Sequence, residues 1–456
     1  MLYRKIIEQI KDFYDNNKNK VLMIAGARQI GKTYIIEKYA EANYKYFIKI
    51  DFIENPEYKD LFKSTKNSDD IMLRLSAVFG DKLFPDETLI FFEEVQECEE
   101  LITQIKYLAM NNDYSFILSG SLLGTAVGKI RSVPVGYMKI IRMYPLDFEE
   151  FAIANGISQR VIDALHTCFE KGLPVDEFIH KRMLELFELY LIVGGMPDAV
   201  QKYIDTKNLR LVFETQQTII QGYRIDVSKY EGNPQMRIHI MEIFDILPAE
   251  LNSKNKRFIM KEMNETKRLK HYIPAFEWLK YAGVSLPTYN IDEPVVPLLK
   301  SKSSSLFKLF CSDCGLLCAS YGNSIQIDIL NKEQNINFGS MYENVAAQEL
   351  TAHGFKLYYY NNKKKGELDF IIEQDGNPIP IEIKSGKSYK RHSALSNILD
   401  CREYSFEKAY IFSNANTEVE GKKIYLPIYM LMFIQNEEKK EDLFFETDFS
   451  DVNAYC

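Results

Sequence analysis

Apolar and polar positions divide the chain into a strand-rich beginning, a helical middle and a strand-rich end. Early on, short apolar runs recur: "VLMIA" from Val21 to Ala25, "YFIKIDF", Leu89 to Phe92 in "TLIFFEEVQ", "SFILSGS" and "MKIIRMYPL". With helical segments between them, these predict about five strands in a parallel α/β sheet. From Pro145 to about Thr206 the pattern is helical, punctuated by the tight turn "GGMP". A second helical stretch runs from Asn208 to Ala319. Within it, "LKYAGV" closes a helix and "SLPTYNIDEPVVPL" reads as an extended hairpin. The serine cluster of "LLKSKSSSLFKL" (Leu298 to Leu309) reads as a loop or linker. Beyond it, "GSMYENVAAQEL" predicts a helix and "FKLYYYNN" a strand. "ELDFII" and "PIEIKSG" then predict a strand pair joined through "EQDGNP", where Asp-Gly and Asn-Pro mark the turn.

The first strand runs into Gly26-Ala27-Arg28-Gln29-Ile30-Gly31-Lys32-Thr33, and a helical run follows from Tyr34. This is G-x-x-x-x-G-K-[ST] in its strand–loop–helix context. Gly26 and Gly31 let backbone N–H groups converge on phosphate oxygens, and the helix start adds its positive end. Lys32 would neutralise β- and γ-phosphate charge, and Thr33 would ligate Mg²⁺. Glu93 and Glu94 emerge from a later apolar strand. The first would hold Mg²⁺ through water; the second would polarise the attacking water. Glutamate in place of the usual aspartate displaces the first carboxylate by roughly 1.5 Å, which leaves binding intact and makes rapid hydrolysis less secure. Ser119 and Ser121 end the "SFILSGS" strand, where a γ-phosphate would be sensed or a simple strand-end turn made.

In the tail, alternation puts Glu382 and Lys384 on one face of a strand, with Ile383 on the other. The hairpin brings Asp369 alongside, and Glu343 lies on the preceding helix. A solvated, salt-bridged hairpin and a metal site acting on nucleic acid both fit this pattern.

With 456 residues, 46% apolar and 26% charged, the chain is globular, with roughly two to four domains. A net charge of −8 excludes a wholly basic nucleic-acid coat and leaves a local basic face open. The stretch "KNKRFIMKEMNETKRLKHYIPAFEWLKYAGV" is such a candidate, set against a plain solvated face. Seven irregularly spaced cysteines suggest a reducing compartment. "CSDCGLLC" (Cys311, Cys314, Cys318) reads as buried structural thiols rather than zinc ligands. The N-terminus lacks a signal-peptide core, and no membrane span is expected, so the expected location is cytoplasmic.

"GARQIGKT", "LIFFEEVQ", "ILSGS" and "YPLDFEEF", with "YLIVGGMPDAV" and "DCGLL", resemble the prokaryotic AAA-type ATPases that carry a C-terminal DUF4143 domain. That group is related to archaeal ATPases with restriction-endonuclease-like tails. The resemblance implies an AAA-type P-loop ATPase domain over 1–150 and a helical lid over 151–207. A winged-helix-like domain over 208–320 and an α+β nuclease-like domain over 321–456 follow. It further implies that Asp369, Glu382 and the Ile383 carbonyl hold Mg²⁺, that Glu343 adds to the metal shell, and that Lys384 activates the attacking water. Glu367 would pair with Lys384 or sit outside. Relatives place a Gly-Arg pair before "YPL"; here Tyr137 follows Gly136, and neither Arg131 nor Arg142 is assigned as an arginine finger. The expected function is Mg²⁺-dependent ATP hydrolysis coupled to binding or cleavage of DNA or RNA. The alternative is a slow, nucleotide-gated regulator without nuclease activity. Homo-oligomerisation is left open.

Overall fold

The computed structural model describes residues 2–17, 19–120, 135–252, 272–322, 326, 329 and 338–436, the side chains of 135 and 304–306 excepted. Ser121, Arg131 and most of the basic stretch, 254–271, lie outside the described residues.

After helix α1 (Ile6–Asn16) the chain alternates strands and helices: β1 (Val21–Ala25), α2 (Lys32–Asn43), β2 (Tyr46–Asp51), α3 (Ser68–Phe79), β3 (Thr88–Glu93), α4 (Glu99–Ala109), β4 (Ser115–Gly120) and β5 (Met138–Arg142). The five strands form a parallel sheet in the order β2-β3-β4-β1-β5. Both faces are covered, so the central β1 is buried at every position and reads as an unbroken apolar run. β4 lies beside β1, with Ile24 level with Ser119. It separates the loop after β1 from the acids after β3 by two strand spacings, about 10 Å.

The middle is helical: α5 (Phe148–Ala154), α6 (Gln159–Lys171), α7 (Glu177–Val193), α8 (Pro197–Thr206), α9 (Leu209–Tyr230), α10 (Pro234–Asn252) and α11 (Ile273–Tyr281). The "GGMP" turn separates α7 from α8, and glycine is needed there. A Cβ on Gly195 would lie 2.0 Å from the Leu146 carbonyl oxygen. The Gly195 N–H donates to Asp313 Oδ2 at 2.6 Å, and Asp313 also caps helix α12 (Cys314–Ser320) through the Leu316 N–H. "GGMP" and "DCGLL", far apart in sequence, are therefore the two halves of one packed joint. Cys314 and Cys318 are buried in it, and burial pushes both thiols upward.

The last part is an eight-stranded mixed sheet, ordered β12-β13-β11-β10-β9-β8-β6-β7. Its members are β6 (Ser285–Ile291), β7 (Lys302–Cys311), β8 (Tyr358–Asn362), β9 (Gly366–Gln374), β10 (Asn377–Ile383), β11 (Ala409–Ser413), β12 (Glu418–Glu420) and β13 (Lys423–Pro427). Helices α13 (Phe338–Ala352) and α14 (Ser393–Leu399) accompany it. The expected β9–β10 hairpin is present: Gln374 pairs with Asn377 across Asp375-Gly376, both at positive φ.

Two expectations need revision. The segment read as a loop from Leu298 to Leu309 is largely strand, because β7 pairs along β6 from Ser285↔Cys311 to Ile291↔Lys302. The serines' local turn preference yields to that pairing and to burial of Phe307, Leu309 and Phe310. The expected wing is also not separate. β6 pairs in parallel with β8 (Tyr289↔Tyr358), so the boundary expected at 320/321 falls inside one continuous sheet.

A single apolar core runs from one face of the first sheet, through α7 to α9, to one face of the second. Separate clusters fill the opposite faces. A buried polar network reinforces the junction. Arg4 donates to the carbonyls of Ile30 (3.2 Å) and Tyr144 (2.6 Å) and pairs with Glu150 at 3.2 Å. Asp147 and Glu150 form a capping box on α5. Lys5 lies 2.7 Å and His353, on the tail side, 3.3 Å from Asp147, holding that carboxyl below its usual range despite burial.

Candidate functional site

Gly31 caps α2 in the left-handed region (φ 84°), which turns the loop so that α2 begins directly at Lys32. Lys32 is buried, and its ammonium folds back onto the loop's own carbonyls, 3.0 Å from Gly26 O and 2.7 Å from Ala27 O. Burial lowers its pKa to about 8, with Arg28 adding to the depression and Glu94 and Glu93 opposing it. Thr33 Oγ1 donates to Glu93 Oε1, while Lys49 on β2 sits 2.8 Å from Glu93 Oε2. Glu94 takes a left-handed backbone (φ 52°), a conformation costing a non-glycine residue about 1–3 kcal/mol that clusters at functional positions. The Gln96 amide donates to the Glu94 carboxylate. Ser119 is buried at the end of β4.

These groups border an open cleft of about 510 Å³, with Arg28, Gln29, Gly31, Lys32, Thr33, Tyr34, Glu93 and Glu94 in its wall. That volume is in the range of small-molecule and cofactor sites. The opposite wall comes from α8 and α9, through Asp198, Gly222, Tyr223, Ile225 and Asp226. Arg28 forms an ion pair with Asp226, and its guanidinium lies 3.2 Å from Tyr230 Oη and over that ring. Asp226 is raised by burial, though Arg28 pulls the other way. The roof over the loop is thus α9, in the region expected to be winged-helix-like, rather than only the segment expected as a lid. Ala27 and Ile30 are buried, and Ile30 points into the core. Arg142 ends β5, exposed and outside this cleft.

Residues 18–152 match the AAA domain family, and residues 338–431 match the domain of unknown function DUF4143. The chain carries an AAA domain and a C-terminal DUF4143 domain. Between the two, residues 184–326 match a further domain of unknown function, DUF8612. The chain is similar to an uncharacterised protein of Methanocaldococcus jannaschii, 21% identical over 93% of this chain and 87% of that one. An uncharacterised protein of Haemophilus influenzae is 23% identical over 37% of this chain and 42% of its own. Among solved structures, the Walker-type ATPase of Pyrococcus abyssi aligns with a TM-score of 0.43 at 14% identity, covering 70% of this chain and 96% of that chain. The fold assignment rests on the strand order above rather than on that partial overlap.

In the DUF4143 domain the motif residues do come together, but not as expected. Register places Ile381 opposite Phe370, which sets Glu382 beside Asp369. Asp369 Oδ2 accepts from the Ile383 N–H at 2.9 Å, so it binds the backbone of the residue whose carbonyl was expected to share a metal. Glu382 is buried; its Oε1 receives Lys384 Nζ at 2.5 Å. Burial and Asp369 raise its pKa to about 8, against the pull of Lys384. Burial works against the Lys384 charge, but Glu382 and Asp369 outweigh it and raise its pKa. Glu343 is buried on α13.

A second cation, missed in the sequence, fills this site. Lys308 on β7 is 1% exposed, lies 2.7 Å from Glu367 Oε1 and stands over the Tyr359 ring. Burial opposes its charge, yet Glu343, Asp369 and Glu367 together raise its pKa. Among the described residues, no group of three or more His, Cys, Asp or Glu side chains could hold a metal ion. To hold Mg²⁺, the expected set of Glu343, Asp369 and Glu382 would have to exchange Lys308 and Lys384, which compensate its charge here. In the AAA domain the fit is better: Thr33 and Glu93 face each other across the loop, as a hydroxyl and carboxylate sharing a hydrated cation would. No helix among the described residues is long and apolar enough to cross a membrane.

Proposed function

We propose that the chain binds ATP with Mg²⁺ in the cleft between the glycine loop and α9, hydrolyses it slowly, and uses the nucleotide state to regulate contact with a nucleic-acid partner. The observation that carries this reading is the open cleft bounded by Lys32, Thr33, Glu93 and Glu94. Mg²⁺ would supply charge neutralisation at the β- and γ-phosphates, with Thr33 and Glu93 as its protein partners. Lys32 gives up its hydrogen bonds to Gly26 O and Ala27 O and donates to phosphate instead. Glu94 accepts a proton from, or orients, the attacking water. Gln96 fixes the Glu94 carboxylate, and Ser119 lies at the neighbouring strand end where it reports on the terminal phosphate. Arg28 is the switch: a triphosphate beside it competes with Asp226, loosening α9 from the loop.

For the tail, the Lys308 ion pair favours the second reading, docking without cleavage. A fold that carries nuclease activity elsewhere need not carry it here, and Lys308 and Lys384 both lie beside these carboxylates. The direct test is calorimetry with ATP and magnesium, then turnover by wild type, Lys32→Ala and Glu94→Gln. Saturable binding with turnover lost in both variants is the expected result; unchanged turnover in both would remove the assignment. Nicking of plasmid DNA by wild type, absent in Lys384→Ala, would restore the nuclease reading.

A further inference from the structure

A second cavity, of about 500 Å³, lies on the other side of the glycine loop, where the AAA domain, the β6–β7 hairpin and the DUF4143 domain meet. Gly26 and Ala27 line it, so the loop is a common wall between this cavity and the ATP cleft, which Gly31 to Tyr34 line. Four cations surround it: Arg142 at the end of β5, Lys280 on α11, Lys302 on β7 and Lys356 before β8. Among the described residues, no carboxylate lines it. Lys280 pairs with Glu277 at 3.1 Å. Among the described residues, Arg142, Lys302 and Lys356 form no ion pair. The Lys302 ammonium instead stands 3.4 Å from the centre of the Tyr289 ring. Burial and the neighbouring Lys280 disfavour its charge, a deficit that an incoming anion would relieve. The remaining wall is aromatic and aliphatic, with Tyr289, Tyr358 and Phe355 among its members.

Unpaired cations around an aromatic-lined cavity suit a ligand that is anionic at one end and flat and apolar at the other. The volume accommodates one such unit. We infer that this cavity binds a nucleoside phosphate, presented either as a free nucleotide or as one residue of a single-stranded nucleic acid. The position gives the ligand a route to the ATP cleft. The turn at Gly283, between α11 and β6, packs against the loop so closely that a Cβ there would sit 3.0 Å from the Ala27 Cβ and N. An occupant pressing on this turn would therefore bear on the glycine loop. Only the single-strand arm rests on the nucleic-acid partner proposed above.

The test uses the full chain carrying Lys32→Ala, which silences the ATP cleft. Its probes are a fluorescent oligo-dT and AMP, with AMP read by calorimetry. At least one probe is expected to bind. Binding to oligo-dT alone assigns the strand, and binding to AMP alone assigns a free nucleotide. Adding Lys302→Glu and Lys356→Glu should weaken binding at least tenfold, and Lys302→Arg with Lys356→Arg should restore it. In an otherwise wild-type chain the charge-reversed pair should keep its ATP affinity, which separates failure here from failure of the ATP reading or of folding. Raising salt should also weaken oligo-dT binding by the wild-type cavity, a readout that needs no variant. Failure of both probes to bind, or equal binding by the charge-reversed protein, would overturn the inference.

Discussion

Two strand systems each deliver carboxylates into a partly buried site, β3 with Glu93 and Glu94, and β9–β10 with Asp369 and Glu382. Around β3, Lys49 stays paired with Glu93, but the cations that face the cleft are displaceable. Lys32 leans on two backbone carbonyls and Arg28 on a carboxylate across an open cleft, and each can exchange its partner for a phosphate. Around β10 the cations are built in. Lys308 is sealed from solvent against Glu367, and Lys384 holds Glu382. A functional acid needs a counter-charge it can give up, and acids with permanent partners instead hold elements together. The same residue types in similar alternating strands thus suit different tasks.

The largest test of this contrast is Lys308→Ala. Removing this buried cation leaves the buried Glu343 and the partly exposed Glu367 uncompensated, at a cost of about 3 kcal/mol, the lower end for a broken buried pair because Glu367 keeps some solvent, to be read from chemical denaturation. A wild-type midpoint in that variant would mean that Lys308 is not a keystone. Next comes Lys32→Ala, which should weaken ATP binding about 100-fold, roughly 2–3 kcal/mol, by calorimetry, with stability nearly unchanged.

A smaller effect is expected from pH. Lys32 titrates near 8 in the empty loop. Phosphate favours its charged form, so binding near that pH should take up protons. ATP affinity should then fall as pH rises above 8, by at most about tenfold per unit. Calorimetry in buffers of different ionisation enthalpy would show the uptake, and affinity rising with pH would contradict it. The smallest effect is Asp226→Asn. Releasing Arg28 from α9 should tighten ATP binding by about 0.5–1 kcal/mol, typical of a partly exposed ion pair. Weaker binding would mean that the pair holds the cleft in shape rather than shut.

The first sheet was legible because each strand is a continuous apolar run and the loop motif has fixed spacing. Chemistry in the loop is local, so Lys32 and Thr33 could be named from their neighbours. The tail hairpin was legible for the same reason, through its Asp-Gly turn and alternation. What could not be read was pairing between distant segments. Asp226 and Tyr230 reach Arg28 across about two hundred residues, and nothing local to α9 marks them. β7 hid behind its serines, and with it Lys308. One signal was present: Lys49 in "YFIKIDF" and Lys308 in "LFKLF" are lone lysines inside apolar strands. A cation stays at such a position only if an acid answers it, and each does face a carboxylate, Glu93 and Glu367 respectively.

The β6–β8 pairing has a practical outcome for anyone dissecting the molecule. A fragment starting after residue 320 would strip β6 from Tyr358–Asn362, baring a row of unpaired N–H and C=O groups along tyrosine-rich backbone. It would also remove Lys308 from the acids it neutralises. Such a piece is a template for strand addition between copies. A cut placed before α11 keeps the hairpin with the sheet it completes.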